Sequence, residues 1–436
     1  MRGLVLFNGL LLTALAHGAQ AQDNSFWQDA QAGVLARNYF LHNDYRNDRV
    51  REQNYSQEWA QGFIGHFNSG FTSGNVGLGI DAHGFFGLRL DSGRGTAGTG
   101  LLPLDSDGRA EPDYSSAGAA LKLRLGATQL RVGEMEVETP VFDTADKRLQ
   151  PEYATGWLLD SLDVPGVRLV AGRFTAFKNQ NQSTGRGDLE GYGASTAGQS
   201  ISLAGIESRS DQALGGALYI GELSDTWRQY YGNLHGGHLL GPQTRFDWDA
   251  NLYRTLDSGQ ASAGAIANTA ASLLLKLTHA RQAFSFGYQK IHGDTPFDFV
   301  GGDSIYLANS IKYNDFNGPG EQSFQARYDL DLGDVFSGLS FMGRYVRGSG
   351  IDGTDAPRGG AYNRFAGAED RYVPLQGKGG RHWERDLTLA YKVPAGALQG
   401  LSVELSYVTH RGNAAQGNND LDRLYVVVQY PLDILR

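Results

Sequence analysis

Apolar and polar residues alternate with a period of two in short segments along most of the chain, the signature of strands buried on one face only. The last hundred residues show it best. Leu387, Leu389, Tyr391 and Val393 alternate with Asp386, Thr388, Ala390 and Lys392. After a turn beginning at Pro394, Leu401, Val403, Leu405 and Tyr407 alternate with Ser402, Glu404, Ser406 and Val408. The final segment sets Leu424, Val426, Val428 and Tyr430 against Arg423, Tyr425, Val427 and Gln429. Earlier segments agree: Leu121, Leu123 and Leu125 oppose Lys122 and Arg124, and Phe324, Ala326, Tyr328 and Leu330 oppose Gln325, Arg327 and Asp329. The same alternation sets Phe246 and Trp248 against Asp247 and Asp249.

Two architectures produce such a pattern. A soluble sandwich hides the apolar face in its core, whereas a membrane barrel turns it to lipid and wets the polar face from within. Three features favour the barrel. Arg2, the apolar stretch from Gly3 to Ala16 and the small residues of Ala19-Gln20-Ala21 read as an export signal cleaved after Ala21. Tyr345, Tyr391, Tyr407 and Tyr430 are placed at strand ends, as interfacial girdles require. Short turns such as Gly126-Ala127-Thr128 alternate with long Gly/Asp/Asn-rich stretches such as Gly348 to Arg381, the rhythm of a barrel with one tight and one elaborated rim. Strands that span lipid must also close on themselves, because every backbone N–H and C=O there needs a partner.

The expected plan is therefore a signal peptide over residues 1–21 and a single barrel over 22–436, all-β and antiparallel. At roughly 23 residues per strand with its share of loop, the exported part makes about 18 strands. A barrel of that size leaves an aqueous channel that inward-folded loops can constrict.

Composition narrows the chemistry. The chain has no cysteine, so disulfides, thiolate zinc sites and cysteine nucleophiles are excluded. A formal net charge of −9 argues against a nucleic-acid partner, which needs a clustered basic face. No Gly-x-Ser-x-Gly elbow or other triad signature occurs, and no Walker-type phosphate loop. Asp105-Ser106-Asp107-Gly108 lacks calcium-loop spacing and reads as a turn. His235 and His238 are placed in a loop, a poor start for a metal site. No cofactor is expected, and an outer-membrane hydrolase or a plugged structural barrel is the weaker alternative to a channel.

Several stretches resemble a known family. Leu35-Ala36-Arg37-Asn38-Tyr39-Phe40 and Glu58-Trp59-Ala60-Gln61-Gly62-Phe63 are similar to the opening strands of the OprD-type substrate-specific porins. Gly70-Phe71-Thr72, the run from Val76 to Ala82 and Leu88 to Gly93 resemble the segment that follows. Ser304 to Ser310, Asp315 to Gly320, His410-Arg411-Gly412-Asn413 and Tyr430 to Leu435 complete the likeness in the family's order. The resemblance implies an outer-membrane barrel of 18 strands, monomeric or loosely trimeric, inserted by barrel assembly machinery. Tyr430 and Leu435 are read as the residues presented to that machinery in place of a terminal aromatic. It also implies passive, selective passage of small polar solutes, carboxylate-bearing nutrients among them, through an eyelet with a basic ladder opposite acidic groups. Opposed charges across a narrow constriction orient dipolar solutes and concentrate them locally.

Candidate pore residues follow from strand parity. Arg37, Lys122, Arg124, Arg131, Arg168 and Arg327 are expected to face inward, because a charge at mid-depth in lipid costs roughly 2–4 kcal/mol. Facing inward is not the same as guiding a solute, since a lumen charge also serves to solvate the wall or pair with a neighbour. Asp298, Asp303 and Tyr306 lie in the Gly293 to Asn317 region, which resembles a loop folding into the pore. Pro140 to Gly156, with Asp143, Asp146 and Arg148, looks like a second. The chain departs from the family where Glu404, Ser406 and Tyr425 stand in place of arginines. That thins the basic ladder, weakens a preference for simple anions and favours zwitterionic or cationic solutes.

Overall fold

A computed structural model of the protein describes residues 26–46, 53–92, 95–189, 191–193, 197–208, 214–418 and 420–435. The expected signal peptide and its cleavage point lie outside the described residues. The first strands are β1 (Gln31–Tyr45), β2 (Tyr55–Asn68), β3 (Val76–Asp91), β4 (Asp113–Leu125), β5 (Thr128–Met135) and β6 (Tyr153–Ser161). They continue as β7 (Val167–Lys178), β8 (Ile201–Ser208), β9 (Leu214–Leu223), β10 (Trp227–Gly241), β11 (Thr244–Asp257) and β12 (Ala267–His279). The last are β13 (Gln282–His292), β14 (Gln322–Asp331), β15 (Leu339–Ile351), β16 (Gly380–Lys392), β17 (Ser402–Gly412) and β18 (Leu421–Leu435).

Each strand pairs antiparallel with its sequence neighbours in one 18-stranded sheet. The first and last strands also pair, with Arg37 opposite Gln429 and Tyr39 opposite Val427. The sheet is thus a closed barrel without an edge, the condition for strands to cross lipid. Leu121, Leu123 and Leu125 face outward and exposed while Lys122 is buried inside, as the period-two reading requires.

Short connections at one rim, such as 126–127, 162–166, 242–243 and 280–281, alternate with long ones at the other, notably 92–112, 136–152, 179–200, 293–321 and 352–379. At the tight rim Gly126 adopts a positive φ of 61°, and Asp163 ties the neighbouring turn to it by accepting from the Ala127 N–H at 2.8 Å.

Two sequence expectations need correction. Tyr345, Tyr407 and Tyr430 lie within β15, β17 and β18 rather than at their ends; each strand continues five or six residues past its tyrosine, so the aromatic does not mark where the strand stops. His235 and His238 sit on β10, not in a loop. Three residues apart on a strand, they point to opposite faces. Asp105 does form a turn, its Oδ1 accepting the N–H groups of Asp107 and Arg109 at 2.9 and 2.8 Å.

The inner wall is not uniformly polar. Tyr219, Tyr231, Tyr253 and Ala270 are buried against Val141, Phe142, Phe297, Ile305 and Leu307. These partners belong to the 136–152 and 293–321 connections, so part of the lumen is a packed core formed between wall and loops.

Candidate functional site: a constriction formed by two inward connections

The connection 136–152 joins β5 to β6, and 293–321 joins β13 to β14. These strand pairs lie nearly opposite each other on the ring, so contact between the two connections crosses the lumen. Contact is extensive. The Asp143 N–H donates to Ser304 Oγ at 2.6 Å, and the Tyr306 hydroxyl donates to Asp143 Oδ2 at 2.7 Å. Lys147 forms an ion pair with Asp303 and donates to the Gly302 carbonyl at 2.9 Å. The Glu152 carboxylate accepts from the Ala145 and Gly302 N–H groups at 2.7 and 2.9 Å and from the Gln180 amide at 3.0 Å. Burial pushes the Glu152 carboxyl up to about 7 against these donors, because removing a charge from water costs more than the hydrogen bonds return.

The wall holds both connections in place. Arg37 on β1 is 2% exposed and clasps Asp146 through two nitrogens at 2.5 and 2.8 Å. It also donates to the Arg148 carbonyl at 2.7 Å, while the Tyr39 hydroxyl donates to the Lys147 carbonyl at 3.0 Å. On the far side, Glu384 of β16 accepts the Tyr313 and Asn314 N–H groups at 2.9 Å each. Lys312 reaches β17, its Nζ 2.5 Å from Glu404 and 2.9 Å from Ser406 Oγ, and lies 5.2 Å from the centre of the Tyr425 ring. All three positions where the chain departs from the family's arginines therefore surround one lysine from the loop.

The remaining candidates divide by position. Lys122 pairs with Asp81 at 2.6 Å and donates to the Ser69 carbonyl at 2.8 Å; Arg124 covers the Phe71 ring at 4.5 Å. Both sit toward the tight rim. Arg168 bridges Asp160 and Glu207, each at 2.6 Å, and Arg327 chelates Asp329 at 2.8 and 2.6 Å. Arg131 faces inward opposite Lys122 and forms no hydrogen bond or ion pair with a described residue; the Arg148 guanidinium has no ion pair there either, and donates only to the Lys147 carbonyl at 3.0 Å.

Asp298 departs from the expectation that it meets solute. It is 2% exposed and accepts from the Gly193 and Phe299 N–H groups at 3.1 and 2.9 Å and from the Tyr362 hydroxyl at 2.6 Å. Three donors at the junction of three loops need an acceptor, and Asp298 supplies it. Sequence reasoning overlooked Lys312, Lys147 and Glu152. Lys312 left a signal: it is the sole basic residue between 293 and 321, among five acids.

A closed antiparallel barrel with two connections meeting across a charged lumen defines an outer-membrane channel of the porin class. The profile described as outer membrane porin, OprD family, matches residues 24–434, and the chain belongs to that family. It is 40% identical over 430 residues to Porin D of Pseudomonas aeruginosa, covering 95% of this chain and 94% of that one. It is 30% identical to the porin-like protein GalP of Pseudomonas putida, covering 95% of each. Among solved structures, OpdK of Pseudomonas aeruginosa with vanillate superposes with a TM-score of 0.83 at 35% identity, covering 94% of this chain and all of that one. A BenF-like porin from Pseudomonas fluorescens gives 0.84 at 29% identity over the same shares. The protein is accordingly a porin of the outer membrane, of the kind whose family members are substrate-specific channels.

Proposed function

We propose that this porin passes small carboxylate-bearing solutes that also carry a positive group, amino acids and short peptides before simple organic acids. Support comes from the way both charge signs occur in the constriction. Arg131 and the Arg148 guanidinium make no ion pair with a described carboxylate and are the groups we assign to drawing a carboxylate along. Asp303, Tyr306 and Glu404 are assigned to the opposite side, where an ammonium or guanidinium end would turn. The carboxylate part of the reading agrees with the vanillate bound by OpdK; the cationic part rests on Glu404.

The single observation that carries it is the Lys312–Glu404 pair, whose side chains are 26% and 31% exposed. An open pair in lumen water offers a dipolar solute one contact for each end. The barrel would work as a monomer or loose trimer after insertion by barrel assembly machinery. Liposome swelling with arginine, a benzoate-like acid and a neutral sugar of similar size tests the proposal. Faster entry of arginine than of the acid is expected; equal rates for all three solutes would refute selectivity.

A further inference from the structure

The outer face of the barrel carries charge where lipid should exclude it. On β15 and β16, Val346, Gly348, His382, Glu384 and Asp386 are buried inward, so Arg347, Arg381 and Arg385 point outward, and all three are exposed. The register gathers them. Arg347 stands opposite Trp383, Arg381 opposite Ser349 and Arg385 opposite Tyr345, placing the three guanidinium groups around Trp383. Its ring packs against Tyr345 with centroids 5.8 Å apart. Aromatic side chains of this kind mark the level where hydrocarbon meets headgroups, and the three arginines lie toward the rim of long loops.

No carboxylate answers them. Arg385 donates only to Thr409 Oγ1 at 3.2 Å, and the side chains of Arg347 and Arg381 make no hydrogen bond or ion pair with a described residue. Asp422, farther round the wall, is already taken by Arg411 at 2.9 Å and Arg46 at 2.8 Å. Toward the membrane centre the same face has a groove. Gly343 sits opposite Tyr328 on β14 and opposite Leu387 on β16, and its missing side chain leaves a cleft lined by Phe284, Ala326, Tyr328, Tyr345 and Leu387, with Arg385 at its end.

We propose that this patch binds a phosphorylated acyl glycolipid of the outer leaflet, its phosphate on Arg347, Arg381 and Arg385 and an acyl chain in the Gly343 groove. The chemistry fits both halves. Guanidinium forks match phosphate oxygens in bidentate geometry, and a basic cluster beside an apolar groove is how membrane proteins hold anionic headgroups. The occupant is a lipid because the groove faces the bilayer, whereas a free anion would leave it empty.

Native mass spectrometry of the full barrel in detergent tests this, with lipid A, dephosphorylated lipid A and phosphatidylglycerol as probes. Lipid A should form a persistent adduct, at least tenfold stronger than either of the others. The triple variant Arg347→Gln, Arg381→Gln, Arg385→Gln should lose that preference, and Arg281→Gln at the opposite rim should keep it. The single variants Arg347→Gln and Arg381→Gln, each expected to weaken the adduct severalfold, serve if the triple variant fails to fold. Equal binding of the three lipids, full binding by the variants, or displacement of lipid A by millimolar inorganic phosphate would each overturn the proposal.

Discussion

Lys312, carried by the connection from β13 to β14, places its Nζ 2.5 Å from Glu404 on the wall of β17. The two are 92 residues apart in sequence, and their pairing returns a positive charge to a stretch of wall whose own residues provide an acid, a hydroxyl and a phenol. The pair leaves this rung neutral in sum and dipolar in detail.

Breaking that balance should move ion selectivity in opposite directions. Glu404→Arg or Glu404→Gln leaves Lys312 unopposed, and the anion-to-cation permeability ratio should rise. Lys312→Gln should lower it. One charge a few ångströms from the ion path in water is worth about 1 kcal/mol, so each change should amount to about two- to fivefold. Reversal potentials in planar bilayers under a salt gradient measure it. No shift with Glu404→Arg would place this pair outside the conducting constriction.

The clasp between Arg37 and Asp146 has a mechanical consequence. Arg37→Met removes the ion pair that holds the middle of the 136–152 connection to the wall, while the Tyr39 bond to the Lys147 carbonyl and the contacts of Glu152 and Tyr306 to the opposite connection remain. Separating a buried pair costs about 3–5 kcal/mol; Asp146 keeps part of its surface wet, which brings the expectation to about 2 kcal/mol. The constriction should fluctuate: open-channel noise should increase severalfold, with mean conductance higher than wild type. Unchanged noise would show that the remaining contacts suffice without the Arg37 clasp.

Arg131 should act on solutes rather than on the shape of the pore. It makes no hydrogen bond or ion pair with a described residue, so Arg131→Gln removes charge without breaking a direct contact to an acid. Swelling rates for a benzoate-like acid should fall by about two- to fivefold, with the rate for a neutral sugar unchanged. A parallel drop for the sugar would reveal a narrowing instead of a lost attraction.

The division between what could and could not be read in the chain has a geometric cause. Strand faces were legible because a strand alternates at every residue: Leu121 and Lys122 declare opposite sides by adjacency alone. The 18-strand ring followed from length, since each crossing consumes a fixed share. The partners of the site were not legible. Arg37 and Asp146 are separated by 109 residues, and their meeting depends on a loop crossing a closed lumen, for which no local period exists. Asp298 misled for the same reason. A loop aspartate such as Asp298, between Phe297 and Phe299, looks alike in sequence whether it meets solute or, as here, the N–H groups of a buried junction. The apolar stretch of inner wall around Tyr231 and Tyr253 broke the polar-inside rule where loops cover it.

The Glu152 carboxyl makes the junction between the two connections sensitive to pH. Its value in the folded pore, about 7, lies above the ordinary 4.5, so the closed junction holds a proton that a loosened one releases. Its contribution to closure is complete below about pH 4.5 and is lost as pH rises through about 7. Wild-type channels should therefore be quieter at pH 5 than at pH 8. Each unit of displacement is worth ~1.4 kcal/mol, enough for about a tenfold change in the frequency of brief openings of the constriction. Glu152→Gln keeps an uncharged side chain of the same size at every pH, and should behave at pH 8 as wild type does at pH 5. Single-channel recordings of both proteins across this range measure the difference, and an equal pH response in the variant would assign the effect to another group.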